Sequence, residues 1–101
     1  MNYKLLFELS LKLEDDHFKI VKEWILRRRI VLPFVPFVGL KLNGLEIRPC
    51  DKIVWNDEEF CVSNILKVRL NDPVNDPERL VRMHESQGWY VAKHLDFSSK
   101  N

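Results

Sequence analysis

The first part of the chain alternates apolar and polar side chains. From residue 3 to residue 13 the odd positions are apolar, and Leu6 is the only exception among the even ones. A period of two residues is typical of a strand that buries one face. The pattern therefore predicts a first strand over residues 3–13.

The segment that follows, residues 15–29, has apolar side chains at helical spacing. Five of them share one arc of about 160° when the segment is wound as a helix: Phe18, Ile20, Val21, Trp24 and Ile25. Asp15 or Asp16 is a suitable N-cap, and the arginines at 27–29 would favour the dipole of a last helical turn. Leu26 breaks the pattern because it falls in the polar arc. The spacing predicts a helix from Asp15 or Asp16 to about residue 29.

Residues 30–40 are all apolar or glycine and include Pro33 and Pro36. Two prolines exclude a helix and a central strand, so the segment is expected to be extended. An Asn-Gly pair, Asn43-Gly44, then separates two short alternating runs. This spacing predicts a tight hairpin over residues 40–47, in which Lys41 faces Glu46.

A second hairpin is predicted from residues 52–55 and 60–70, joined by the acidic turn at 56–59. After two Asn-Asp-Pro triplets, Asp76 and Pro77 have the residue types of an N-cap and a first helical position. They predict a helix that Gly88 terminates, followed by a strand over residues 89–97. Residues 98–101 are expected to fray.

The predicted element order is β-α-β-β-β-β-α-β, an α+β class. The leading architecture is two layers, an antiparallel sheet of five to six strands with two helices. This order resembles a ferredoxin-like split βαβ fold with one extra hairpin. A small, partly open β-barrel with flanking helices is the alternative. Residues 1–97 are expected to form a single domain, with 98–101 as its tail.

Composition and charge suggest an ordinary globular protein. The 101 residues carry 16 Lys and Arg against 15 Asp and Glu, a net charge of +1. So small a net charge gives no overall field that would attract nucleic acid or anionic lipid. Residues 1–13 lack the continuous apolar run of a signal peptide, and residues 30–40 are too short to span a membrane. A cytoplasmic location without membrane contact is therefore expected, with Cys50 and Cys61 as free thiols.

Signs of catalysis or cofactor binding are weak. Cys50 and Cys61 are eleven residues apart, and His84 and His94 are ten apart, whereas structural zinc ligands are usually paired at two to four. The sequence has no glycine-rich phosphate loop and no nucleophile elbow. We therefore expect a non-enzymatic protein without metal or cofactor.

The positive charges of the segment at 15–29 suggest a nucleic-acid site as a second hypothesis. In a helix, Lys19, Lys22 and Arg29 would share one face, with Arg27 and Arg28 beside them. The apolar face carries the aromatic rings, so the stacking platform of a single-strand binder is missing. Nucleic acid is therefore the less favoured partner.

Apolar side chains on both sides of residues 30–40 favour a protein-interaction module. One layer of helices does not readily cover both sides of such a segment, and an exposed apolar patch usually marks an interface. The sequence leaves open whether the segment is core or interface, and whether the partner is a second copy or another protein. The candidate interface residues are Leu26, Leu32, Phe34, Phe37 and Val38.

Overall fold

The computed structural model describes residues 1–42, 44–72 and 74–97. Within them lie seven strands and one helix. The elements are β1 (Tyr3–Glu14), β2 (Ile20–Leu32), β3 (Lys41–Leu42), β4 (Leu45–Glu46), β5 (Ile53–Trp55), β6 (Phe60–Arg69), α1 (Pro77–Glu85) and β7 (Tyr90–Asp96). The fold class is therefore α+β, as predicted.

Five strands form an open, mixed sheet in the order β5-β6-β1-β2-β7. The pairs β2–β7 and β5–β6 are antiparallel. β1 and β6 run in the same direction. The rings of Tyr3 and Phe60, at their starts, are 6.3 Å apart, and the amide of Leu70 donates to the carbonyl of Glu14 at their ends (2.8 Å). The predicted sheet was purely antiparallel, so this parallel pair is a correction.

The predicted first helix is wrong, because residues 20–32 form strand β2. As a strand, Trp24 and Leu26 lie on the same face two residues apart, and both are buried. Leu26, which did not fit the helical pattern, fits this alternation. Several β-branched residues also favour a strand here: Ile20, Val21, Ile25, Ile30 and Val31.

Asp15 belongs to the turn between β1 and β2 instead of capping a helix. Its Oδ1 accepts hydrogen bonds from the amides of His17 (2.8 Å) and Lys19 (3.0 Å). The amide of Asp15 donates in turn to the carbonyl of Lys19 at 2.9 Å. A carboxylate that accepts local amides favours a turn as readily as a helix start. The hydrogen bonds from Lys19 and then His17 hold the pKa of Asp15 below its ordinary value of 3.8.

This lowered pKa predicts a pH-dependent contribution of the turn to stability. The folded state favours the charged form of Asp15, so the contribution is present above pH 3.8 and is lost as the pH falls through the lowered pKa. Urea unfolding at about pH 6 and about pH 2.5 checks it. The difference in stability between wild type and Asp15→Asn should shrink at the lower pH. A difference that stays constant would contradict the prediction.

The hairpin around Gly44 is confirmed. Lys41 pairs with Glu46 and Leu42 with Leu45, in the register that the sequence predicts. Beyond them, the amide of Ile47 donates to the carbonyl of Leu40 at 2.9 Å. Gly44 has φ +83°, a conformation that favours glycine. Asn43 lies outside the described residues.

The hairpin of β5 and β6 is confirmed as well. Ile53 pairs with Val62 and Trp55 with Phe60. In its turn, Oδ1 of Asn56 accepts a hydrogen bond from the amide of Glu59 at 3.0 Å. The acidic turn thus closes a hairpin through an Asn side chain.

The second predicted helix and the last strand are also confirmed. Asp76 is the N-cap of α1 and accepts the amide of Glu78 at 3.1 Å, with Pro77 as the first helical residue. Gly88 has φ +96°, as expected of a residue that ends a helix. The predicted frayed tail, residues 98–101, lies outside the described residues. No helix in the described ranges has the length and apolar character that crossing a membrane requires.

The predicted architectures need correction in the number of helices. The described residues contain one helix where two were predicted, so the split βαβ order fails at its first crossover. The barrel alternative is not supported either, because the sheet is open with β5 and β7 at its edges. The reason is β2, since a hairpin partner of β1 occupies the place of the first crossover helix.

The chain separates into two compact units, each with its own core. Unit 1 comprises Met1–Glu8 and Arg28–Asn64, and unit 2 comprises Leu9–Arg27 and Ile65–Asn101. The buried apolar residues of unit 1 are Leu5, Leu6, Phe7, Leu32, Leu40, Leu45, Ile47 and Val62. The core cluster of unit 2 is Leu9, Leu11, Leu13, Trp24, Leu26, Val68 and Val81.

Candidate functional site

The candidate site is a group of exposed apolar side chains in unit 1. Its members are Val31 (61% exposed), Phe34 (39%), Val35 (50%), Phe37 (52%) and Val38 (49%). We call these five residues the apolar patch. Single exposed apolar residues are common, but five within eight positions of the chain are not explained by chance exposure.

Local backbone structure places the apolar patch outside the core. Val31 and Leu32 are neighbours on β2, so their side chains point in opposite directions, and Leu32 is the buried one. After Pro33 the chain leaves the sheet, and it is fixed again where the amide of Gly39 donates to the carbonyl of Ile47 at 2.6 Å. Leu40 is buried. The segment between is thus anchored at both ends and holds its middle residues at the surface.

The apolar patch borders a cavity of about 310 Å³. The residues around it are Arg28, Ile30, Val31, Leu32, Pro33, Phe34, Leu42 and Leu45. Phe34 forms part of this lining, and its ring lies 6.0 Å from the ring of Phe37. The surface therefore combines a largely apolar depression with an adjacent pair of partly exposed aromatic rings.

Paired charges of both signs occur in the same unit. Lys41 Nζ lies 3.9 Å from a carboxylate oxygen of Glu46, and both side chains are exposed. Arg29 Nε lies 3.1 Å from Oε1 of Glu59, which is largely buried. A second opening, of about 320 Å³, is lined by Val31 together with Arg29 and Glu59. The apolar patch thus adjoins charges of both signs.

The interface residues predicted from the sequence fall into two groups. Phe34, Phe37 and Val38 are exposed, whereas Leu26 and Leu32 are buried in the cores of unit 2 and unit 1. Sequence reasoning did not select Val31 and Val35, which are as exposed as the others. Alternation with Leu32 was the available signal for Val31, and it required β2 to be recognised as a strand.

The structure does not contain the basic helix face on which the nucleic-acid hypothesis was based. Lys19 lies in the turn before β2, and Lys22, Arg27, Arg28 and Arg29 lie along the strand. Consecutive strand residues point to opposite faces, so the arginines are divided between two faces. Arg29 is held by Glu59, and Arg28 lines the apolar cavity. The proposed arrangement of these five cations was therefore wrong.

The two cysteines are free thiols, as predicted. Cys50 is exposed, and Cys61 is partly buried, with Asn56 Nδ2 3.3 Å from its Sγ. Neither thiol is fully buried.

No known protein family, curated protein or solved structure matches this chain. The fold therefore defines the class only broadly, as a small α+β protein with an open five-stranded mixed sheet.

Proposed function

We propose that the protein is a non-enzymatic interaction module that associates with a second copy of itself through the apolar patch. The observation that carries this proposal is the grouping of Val31, Phe34, Val35, Phe37 and Val38 at the surface of unit 1, each between 39% and 61% exposed. Removing this surface from water is the driving force for association.

The size of the apolar patch determines how tightly two copies are expected to associate. Five side chains that are about half exposed present roughly 400 Å² of apolar area, within the range of the largest patches on monomers. Two copies would therefore bury roughly 800 Å² from the patch alone, against about 1,200–2,000 Å² for a standard interface. The surrounding polar residues must supply the rest. A reversible dimer with a dissociation constant of roughly tens of micromolar is expected.

The shape and charges of this region suit a second copy. A symmetric interface uses the same surface on both subunits, so that surface must complement itself. The partly exposed rings of Phe34 and Phe37 lie together, and Phe34 lines the cavity, so one surface offers both apolar side chains to insert and a depression to receive them. The pair of Arg29 and Glu59 lines the same opening as Val31 and offers both signs of charge, so two copies can avoid like-charge repulsion there.

Light scattering on the eluting protein tests the proposal. At about 5 µM the molar mass should be near that of one chain, 12.1 kDa, and at about 500 µM it should approach twice that value. The rise should be reversible on dilution, because the apolar interface is small. A mass that stays at one chain over the whole range would overturn self-association.

A further inference from the structure

A second cavity, in unit 2, combines stacked rings with positive charge. Its volume is about 320 Å³, at the lower end of small-molecule sites. The residues around it are Lys22, Trp24, Glu78, Val81, Arg82 and His94. They come from β2, α1 and β7, and all of them belong to unit 2.

Two parallel rings form one side of this cavity. Trp24 on β2 is the direct partner of His94 on β7, so both side chains point to the same face of the sheet. Their ring centroids are 4.8 Å apart and the planes differ by only 8°. Trp24 is buried, whereas His94 is exposed. The imidazole therefore extends a rigid aromatic surface from the core out to the solvent.

Helix α1 forms the opposite side. Glu78, Val81 and Arg82 are spaced three and four residues apart and share one helix face. Val81 is 8% exposed and belongs to the same core cluster as Trp24, which fixes this face over the sheet. The helix thus places Arg82 in the lining of the cavity that the two rings also line.

Positive charge around the cavity is available to a ligand. Among the residues that the structure describes, neither Lys22 nor Arg82 has a carboxylate within ion-pair distance. Glu78 is the acidic residue of the lining. Asp96 is the strand partner of Lys22 and therefore lies on the same face. Arg82 has the planar set of donors that suits a phosphate.

We propose that this cavity binds a small phosphate that carries a planar ring, of the class of nucleoside monophosphates. The ring would stack beside His94, and Lys22 and Arg82 would contact the phosphate. Flat rings stack readily on exposed aromatic surfaces, and paired cations recognise phosphate by charge-assisted hydrogen bonds. This site is independent of the proposed self-association, because none of its residues belongs to the apolar patch.

Calorimetric titration with AMP tests the proposal, and two fragments separate its parts. Adenosine lacks the phosphate, and ribose 5-phosphate lacks the ring. AMP should bind at least about tenfold more tightly than either fragment, since each retains only one group of contacts. No detectable AMP binding would overturn the proposal. Equal binding of AMP and ribose 5-phosphate would overturn the role of the rings.

Three variants, each changing one charge on α1, give a matched comparison. Arg82→Gln should weaken AMP binding roughly tenfold or more, because a charged hydrogen-bond partner is lost. Arg79→Gln is the control, since Arg79 is also exposed on α1 but lies outside this cavity. Glu78→Gln should strengthen binding by removing the negative charge of the lining. Equal effects of the two arginine variants would show only non-specific attraction and would overturn the site.

Discussion

Replacing Leu26 with alanine is expected to lower the free energy of unfolding by about 2–5 kcal/mol. Leu26 is completely buried and belongs to the core cluster of unit 2, together with Trp24 and Val81. Removing its branched end leaves a cavity that the surrounding strands fill only in part. Urea denaturation, monitored by circular dichroism, measures the loss.

The same experiment distinguishes the strand from the helix that the sequence pattern predicts. In that helix Leu26 would lie on the polar face, and truncation at such a surface position changes stability by only about 0.5 kcal/mol. Val31→Ala is the control on β2, since Val31 is 61% exposed, and it should change stability by about 0.5 kcal/mol or less. If both substitutions changed the free energy of unfolding by similarly small amounts, the assignment of this segment to strand β2 would be contradicted.

Replacing both Phe34 and Phe37 with serine should abolish self-association. The apolar patch supplies a large share of the area that two copies bury, and the two rings are its largest side chains. At concentrations where the wild type is dimeric, the molar mass of the variant should fall to that of one chain, 12.1 kDa. Light scattering at matched concentrations measures this change.

Phe97→Ser is the matched control for this loss. Phe97 is 51% exposed, nearly the same as Phe37 at 52%, but it belongs to unit 2 and lies outside the apolar patch. This variant should dimerise like the wild type. The far-ultraviolet circular dichroism of the double variant should also match the wild type. A double variant that remains folded and dimeric would contradict the assignment of the interface.

Local signals in the sequence predicted most of the elements. Alternation with a period of two residues predicted β1, and the Asn-Gly pair predicted the hairpin around Gly44. The residue types of Asp76 and Pro77 predicted the start of α1. The error at β2 arose because residues 15–29 fit both periods and because Asp15 has the side chain of an N-cap or a turn. Leu26 favoured the strand, but one residue does not outweigh an apolar arc of five.

Pairing between distant strands was beyond sequence reasoning. β1 lies beside β6, and β2 pairs with β7, although 45 residues of the chain lie between β1 and β6 and 57 between β2 and β7. Such neighbours depend on how the whole chain packs, which local periodicity does not reveal. The cavity lined by Lys22, Arg82 and His94 results from these pairings, and for this reason sequence analysis did not find it.

The apolar patch was predicted in part. Residues 30–40 are apolar on both sides, so the sequence showed that some side chains would stay exposed but did not show which ones. Burial of Leu32 and Leu40 follows from tertiary contacts of unit 1. Phe34, Phe37 and Val38 were selected from the sequence and are exposed. The exposure of Val31 could not be predicted, because the pattern of residues 15–29 indicated a helix instead of strand β2.

Nuclear Overhauser effects between labelled and unlabelled copies show whether two copies associate through the apolar patch. The sample is a mixture of labelled and unlabelled protein at a concentration at which the molar mass is near that of two chains. The signals recorded are those that connect a proton of a labelled copy with a proton of an unlabelled copy. We expect intermolecular signals between the rings of Phe34 and Phe37 and the methyl groups of Val31, Val35 and Val38. Intermolecular signals that instead involve exposed apolar residues elsewhere, such as Val54 or Leu70, would contradict this expectation.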